Sequence, residues 1–411
     1  MLFLALRAGD AVSIAAGMWF VPRYVSPEDI GAVLPVTSFA TFLALPVFAF
    51  AMTVMRESAC LAAVGERGKI KSLLRGVFLA AAIATVVVLA ATATLVPRFL
   101  GAMRVSDASV GVLVVSAAFL GCVAPVYTDA LQSLKRFGAL ACAEVGGALA
   151  RFLVMLAAMP IRPLAGYFAG QAALPLFRMA ASVAALRRDL AVVAEPYWDR
   201  RTIRRIAITF IAVAAYQAAP MAAALVEQSV LRTALPVADS AGYYMVSRFS
   251  DFLHYLTFPL LLVMFPYTAE VASKDGSTRP FVLKCSAVTL LVAGLAAVAF
   301  ALFGVELLSL MPHGSDYAAY ARYMPLLVVL TALTACQVFH TNAEVSAGRF
   351  GFLAWLIPLH VVYPAALFVA AQRREMTLSA IIGWFAVAAA ARFVFSAIGV
   401  FSRRGNSPHS T

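Results

Sequence analysis

Runs of about 20 apolar residues, separated by short polar stretches, recur from one end of the chain to the other. Each run is long enough, as a helix, to cross about 30 Å of hydrocarbon. The pattern predicts about twelve membrane-spanning helices, at residues 2–21, 31–55, 76–96, 109–131, 139–158, 164–186, 206–226, 243–266, 281–303, 323–345, 351–371 and 376–400. The first run reads as a retained helix rather than a cleaved leader. Arg7 and Asp10 lie inside it, no basic segment precedes it, and VPRYVSPEDIG follows in place of a small-residue cleavage site. The expected fold class is an all-α polytopic membrane protein.

Composition agrees with the pattern. Of 411 residues, 63% are hydrophobic and only 13% charged, far from the quarter or so that soluble domains carry. The formal net charge is +12, but Lys and Arg concentrate in alternate loops, around 56–75, 135–136, 187–205, 274–284, 349 and 403–404, with only about eight on the other side. This bias places both termini in the cytoplasm and the protein in the cytoplasmic membrane, and it leaves no surplus that calls for a nucleic-acid partner. The five cysteines, Cys60, Cys122, Cys142, Cys285 and Cys336, are scattered and show no metal or disulfide spacing, so they are expected to be packing residues.

The chain also repeats itself. YTDALQSLKRFGALA, from Tyr127, aligns without gaps on HTNAEVSAGRFGFLA, from His340: Thr128 matches Thr341, Ala130 matches Ala343, Ser133 matches Ser346, and both copies carry Arg-Phe-Gly at Arg136 and Arg349. SPEDIGAVLPVTSFATFLALP, from Ser26, corresponds in layout to VADSAGYYMVSRFSDFLHYLTFP, from Val237. Two six-helix lobes, 1–186 and 206–411, are expected on either side of a basic cytoplasmic linker, 187–205. Because six is even, both lobes enter the membrane from the same side, related by a pseudo-twofold axis along the membrane normal. A cavity between two such bundles is a natural place for a substrate.

Three stretches carry a resemblance to a known group: YVSPEDIGAVLPVTSF, LKRFGALACAEVGGALARFLV, and GSDYAAYARYMPLLVVLTALTACQVFHTNAEVSAGRF. They resemble the polysaccharide flippase branch of the multidrug/oligosaccharidyl-lipid/polysaccharide (MOP) exporter superfamily. The resemblance implies alternating access and movement of a lipid-linked oligosaccharide to the outer leaflet for cell-surface polysaccharide synthesis. Membrane lipids, and a polysaccharide polymerase or glycosyltransferases, are the partners it implies.

Charges inside the spans are the candidate chemistry, since each costs a few kcal/mol in hydrocarbon unless it faces a wet cavity or a partner. In 243–266, at about 100° per residue, Tyr244, Arg248, Asp251 and Tyr255 form one polar stripe, while Phe249, Leu253, Leu256 and Leu260 form another face. Arg248 and Asp251 are i,i+3 and can pair locally. His254 is either a packed imidazole or a protonation switch. Arg7 and Asp10 repeat the i,i+3 arrangement in the first span, where Arg7 could simply snorkel to the cytoplasmic face. Glu144 and Arg151 share a face but stand about 10.5 Å apart along the axis, so each needs another partner, and Gly146 and Gly147 allow close helix approach beside them. Arg178, Arg392 and Arg56 lie toward the cytoplasmic third. Guanidinium groups there suit a diphosphate bidentately and would repel a small cationic drug. Prolines 35, 46, 125, 175, 220, 259 and 266 are expected to interrupt spans with kinks.

The substrate-binding candidates are thus Arg248, Arg178, Arg392, Arg56, Arg7 and Arg151, and the ion-coupling candidates Asp251, Asp10, Glu144 and His254. A proton or sodium gradient is the candidate driving force, and no cofactor or metal is expected. Two rivals stand beside the flippase. A cation-coupled multidrug or metabolite antiporter of the same superfamily would need an acidic, arginine-poor cavity. A membrane glycosyltransferase or ligase would need paired carboxylates or a large external loop, and no HExxH, GxSxG or phosphate-binding glycine loop is present. The chain is therefore expected not to be an enzyme.

Overall fold

A computed structural model describes residues 17–45, 50, 54, 57–58, 61–62, 64–134, 136–273, 277–346, 349–372 and 376–401; these are helical or lie in short connections, and no strand occurs among them. The helices are α1 (Pro27–Leu43), α2 (Arg67–Thr92), α3 (Leu95–Ala102), α4 (Ala108–Ser133), α5 (Phe137–Ala158), α6 (Pro163–Leu186), α7 (Arg200–Ala234), α8 (Val237–Ser273), α9 (Arg279–Ser309), α10 (Met324–Ser346), α11 (Leu353–Gln372) and α12 (Leu378–Phe401), with a 3-10 helix at Gly314–Tyr323. Residues 17–24 are also helical. Arg7, Asp10, Arg56, Cys60 and the side chain of His254 lie outside the described residues.

Among the described residues, nine helices are long and apolar enough to cross a membrane. The chain is a multi-pass, all-α membrane protein. Leu291, Leu295, Val298 and Leu302 form one stripe of α9, each about 60% exposed or more; spaced four, three and four apart, they present a continuous apolar face suited to lipid rather than water.

Several helices outrun the apolar runs because their polar ends are capped. Ser26 caps α1, its Oγ accepting from Asp29 N at 3.2 Å, with Pro27, Glu28 and Asp29 in the first turn. Asp107 caps α4, accepting from Ser109 N at 2.9 Å and from its hydroxyl at 2.6 Å, bonds that hold its carboxyl below the usual carboxylate range. Asp199 accepts from Thr202 N at 2.7 Å, which starts α7 at Arg200, ahead of the apolar run that begins at 206.

Four of the prolines expected to interrupt spans lie inside continuous helices, and Pro46 lies outside the described residues. Helical geometry continues through Pro35, Pro125, Pro175 and Pro220, because neighbouring turns absorb one missing donor. The non-helical backbone inside a helix is instead at Phe303 of α9 (φ −124°, ψ 15°), where no proline stands.

The chain forms two compact units, Met1–Thr233 and Ala234–Thr411, so α7 groups with the first. In the first unit, α6 packs against α5 and α4, and α4 against α2. In the second, α10 is central, packing against α8, α9 and α12. Leu253 of α8 joins Ala293, Val328 and Ala332 in one buried cluster, and Phe249 meets Phe300 edge-on at 5.9 Å.

The sequence repeat reappears as backbone detail within each unit. Thr128 Oγ1 reaches Ala124 O and Pro125 O at 3.4 and 3.3 Å; Thr341 Oγ1 reaches Gln337 O and Val338 O at 3.0 and 3.2 Å. Arg136 N donates to Leu131 O, and Arg349 N to Glu344 O, both at 2.9 Å. Arg104 and His313, each three residues before an Asp, both adopt left-handed backbone (φ 58° and 57°).

Candidate functional site

The first unit carries a half-open cavity of about 230 Å³. Its polar wall is Thr37 and Thr41 from α1, Thr128 from α4, and Gln171 and Arg178 from α6; alanines, Pro125 and Pro175 make up much of the rest. Arg178 arrives there because α6 crosses α5 at a pair of glycines. A Cβ on Gly147 would lie 2.9 Å from Arg178 Cγ and 3.1 Å from Leu174 O, and one on Gly146 would overlap the Phe177 ring. With no side chain in the way, the arginine stem passes over α5 and its Nη2 pairs with Glu144.

This pairing supplies Glu144 with the partner that Arg151 cannot be. Arg178 Nε and Thr37 Oγ1 are buried without a hydrogen-bond partner among the described residues. Arg151 remains on α5, with its Nε likewise buried and unpartnered. Asp129 of α4 lies within the electrostatic reach of Glu144. Sequence reasoning passed over Asp129, although an acid inside the apolar run 109–131 was the signal.

In the second unit Arg248 Nη2 stands 3.0 Å from Asp251 Oδ2, and its guanidinium carbon lies 5.0 Å from the centroid of the Tyr244 ring. Three members of the stripe, Tyr244, Arg248 and Asp251, therefore meet in space, and Arg248 pairs within its own helix; the side chain of Tyr255 lies outside the described residues. Arg392, 7% exposed, donates its Nε to Ala388 O at 3.2 Å and stands 6.0 Å from the Phe385 ring.

One turn beyond Arg392, Ser396 begins a buried polar bridge that the sequence did not suggest. Ser396 Oγ donates to Phe393 O at 2.7 Å, which leaves its lone pair to accept from His340 Nδ1 at 2.8 Å. His340 Nε2 then accepts from Ser286 Oγ at 3.4 Å. Through these two contacts the ring ties α10 to α12 and α9. Among the described residues no cluster of His, Cys, Asp or Glu could hold a metal. The described cysteines are free, Cys122, Cys285 and Cys336 buried and Cys142 exposed.

No family model matches the sequence, and no curated protein matches it. Solved structures share the fold. A multidrug resistance MATE family transporter of the MOP superfamily, inward-facing, superposes with a TM-score of 0.70 at 14% identity over 98% of both chains. The lipid II flippase MurJ, in an inward closed conformation, gives a TM-score of 0.70 at 9% identity over 97% of this chain and 87% of that one. A MOP superfamily transporter from Pyrococcus furiosus, described by a reverse polarity of its binding pocket, gives 0.62 at 15% identity over 97% and 94%. The fold is thus that of MOP superfamily transporters, a twelve-helix, two-lobe architecture.

Proposed function

We propose that the protein moves a polyprenyl-diphosphate-linked oligosaccharide from the cytoplasmic to the outer leaflet of the cytoplasmic membrane by alternating access, without converting it chemically. The observation that carries this reading is Arg178. Arg178 lines the cavity together with Thr37, Thr41, Thr128 and Gln171, its Nη2 pairs with Glu144, and its buried Nε has no partner among the described residues. A guanidinium fork binds phosphate oxygens bidentately, while hydroxyl and amide groups suit a saccharide. That a lipid II flippase has the same fold accords with a lipid-linked substrate.

A cation-coupled antiporter of the same fold is the second reading, favoured by the neighbouring carboxylates Asp129 and Glu144. Ligand stabilisation separates the two. In detergent, a polyprenyl diphosphate at a hundredfold excess over its Kd is expected to stabilise the protein by about 2.7 kcal/mol, seen as a raised thermal midpoint. A lipophilic cation such as tetraphenylphosphonium is expected to leave the midpoint unchanged. The reverse order would assign the cavity to the antiporter.

A further inference from the structure

On sequence grounds residues 187–205 form a basic connection, yet part of it is built onto α2. Residues 192–198 lie along Gly68, Ser72 and Gly76, spaced four apart on one face of that helix. Lys71 Nζ donates to Val192 O at 2.6 Å, Ser72 Oγ to Glu195 O at 2.5 Å, Glu195 N to Gly68 O at 3.2 Å and Trp198 Nε1 to Ser72 O at 3.1 Å. The glycines make the seat: a Cβ on Gly68 would lie 2.7 Å from Glu195 Cγ, and one on Gly76 would overlap the Trp198 indole.

The strap continues into α7 through a shared carboxylate. Tyr197 Oη and Arg205 Nη2 both donate to Glu57 Oε2, each at 2.7 Å. Burial, then the Glu57 carboxylate, pushes the Tyr197 phenol well above its ordinary value, so it stays a donor. Among the described residues, the start of α7 alternates buried and exposed positions. Ile206 enters the core and Phe210 meets Phe50 at 4.3 Å, but Ile203, Ile208 and Ile211 are 52%, 58% and 65% exposed. At the far end of α7, Arg232 Nε donates to Met103 O at 3.2 Å.

We propose that residues 192–198, with the Glu57–Tyr197–Arg205 cluster, form a latch that holds the arginine-rich end of α7 against α2, and that its release frees this end of α7 during the transport cycle. Hydrogen bonds and an ion pair at a water-accessible edge suit such a role, because Arg205 is 57% exposed and contacts of this kind open locally without unfolding the core. The inference goes beyond the choice of substrate and stands under either transporter reading.

The test is hydrogen exchange in nanodiscs, which requires no substrate. In Gly68→Cys/Glu195→Cys the second sulfur takes the place of Glu195 Cγ, 2.7 Å from the new Cβ, which brings the two side chains within reach of a disulfide. The oxidised protein, compared with its own reduced form and with each single-cysteine variant, is expected to exchange at least about tenfold more slowly across 200–210. Arg205→Ala is expected to raise exchange in both 192–198 and 200–210. Slowing confined to the strap, or no change on Arg205→Ala, would overturn the latch and leave a static brace, whatever the transported species.

Discussion

Replacing Arg178 by alanine is expected to lower transfer of a polyprenyl-diphosphate-linked saccharide by about a hundredfold. Charge-assisted bonds to phosphate contribute about 1.5–3 kcal/mol each, so one bond near the top of that range accounts for the roughly 2.8 kcal/mol that a hundredfold loss represents. The same substitution removes the guanidinium that pairs with Glu144. Both side chains are about a quarter exposed, at 27% and 24%, so the structural cost is about 1–2 kcal/mol rather than that of a fully buried charge. Arg178→Ala combined with Glu144→Gln removes both charges. The double variant is expected to recover the thermal midpoint while remaining inactive in proteoliposomes. Arg178→Lys should fall between, since a point charge keeps the attraction but loses the fork. Full transfer by the double variant would make the Arg178–Glu144 pair a device for membrane insertion alone.

A large stability effect is expected at Gly166, where the backbone at the end of α5 lies against the start of α6. A Cβ there would stand 2.5 Å from Met159 N and 2.6 Å from Ala158 C. These are backbone atoms at the end of α5, so relief requires opening the hairpin rather than turning a side chain. Gly166→Ala is expected to destabilise by about 3 kcal/mol. Gly294→Ala supplies the contrast, because nothing lies within 4 Å of a Cβ at that helical glycine; it should be neutral, or stabilising by up to about 1 kcal/mol through helix propensity. Thermal melting of the two variants side by side checks this. Since α5 and α6 carry Glu144 and Arg178, Gly166→Ala should also depress transfer.

What could be read without the structure follows from which forces are local. Spans such as Ala108–Ser133 and Phe137–Ala158 are legible because lipid imposes a length and a polarity on every crossing. Their polar extensions are invisible to hydropathy: Arg67 to Arg75 of α2 carries the docked residues 192–198, and Arg200 to Arg205 of α7 follows the Asp199 cap. The Arg248–Asp251 pair is an i,i+3 neighbour and could be read directly. For Glu144 the helical rise excluded Arg151, but naming Arg178 required the α5–α6 crossing at Gly147. The His340 bridge joins Ser286 and Ser396, 54 and 56 positions away; no periodicity encodes such a meeting. The left-handed Arg104 and His313 escaped notice because neither is a glycine.

Transfer itself is the direct test. Proteoliposomes loaded with a labelled polyprenyl-diphosphate oligosaccharide in one leaflet, with cation export followed in parallel vesicles, separate the two readings. Saccharide appearing in the opposite leaflet, with transfer lost in Arg178→Ala and no export of a lipophilic cation, is the expected result. Cation export driven by a proton or sodium gradient, with the saccharide confined to its original leaflet, would contradict it.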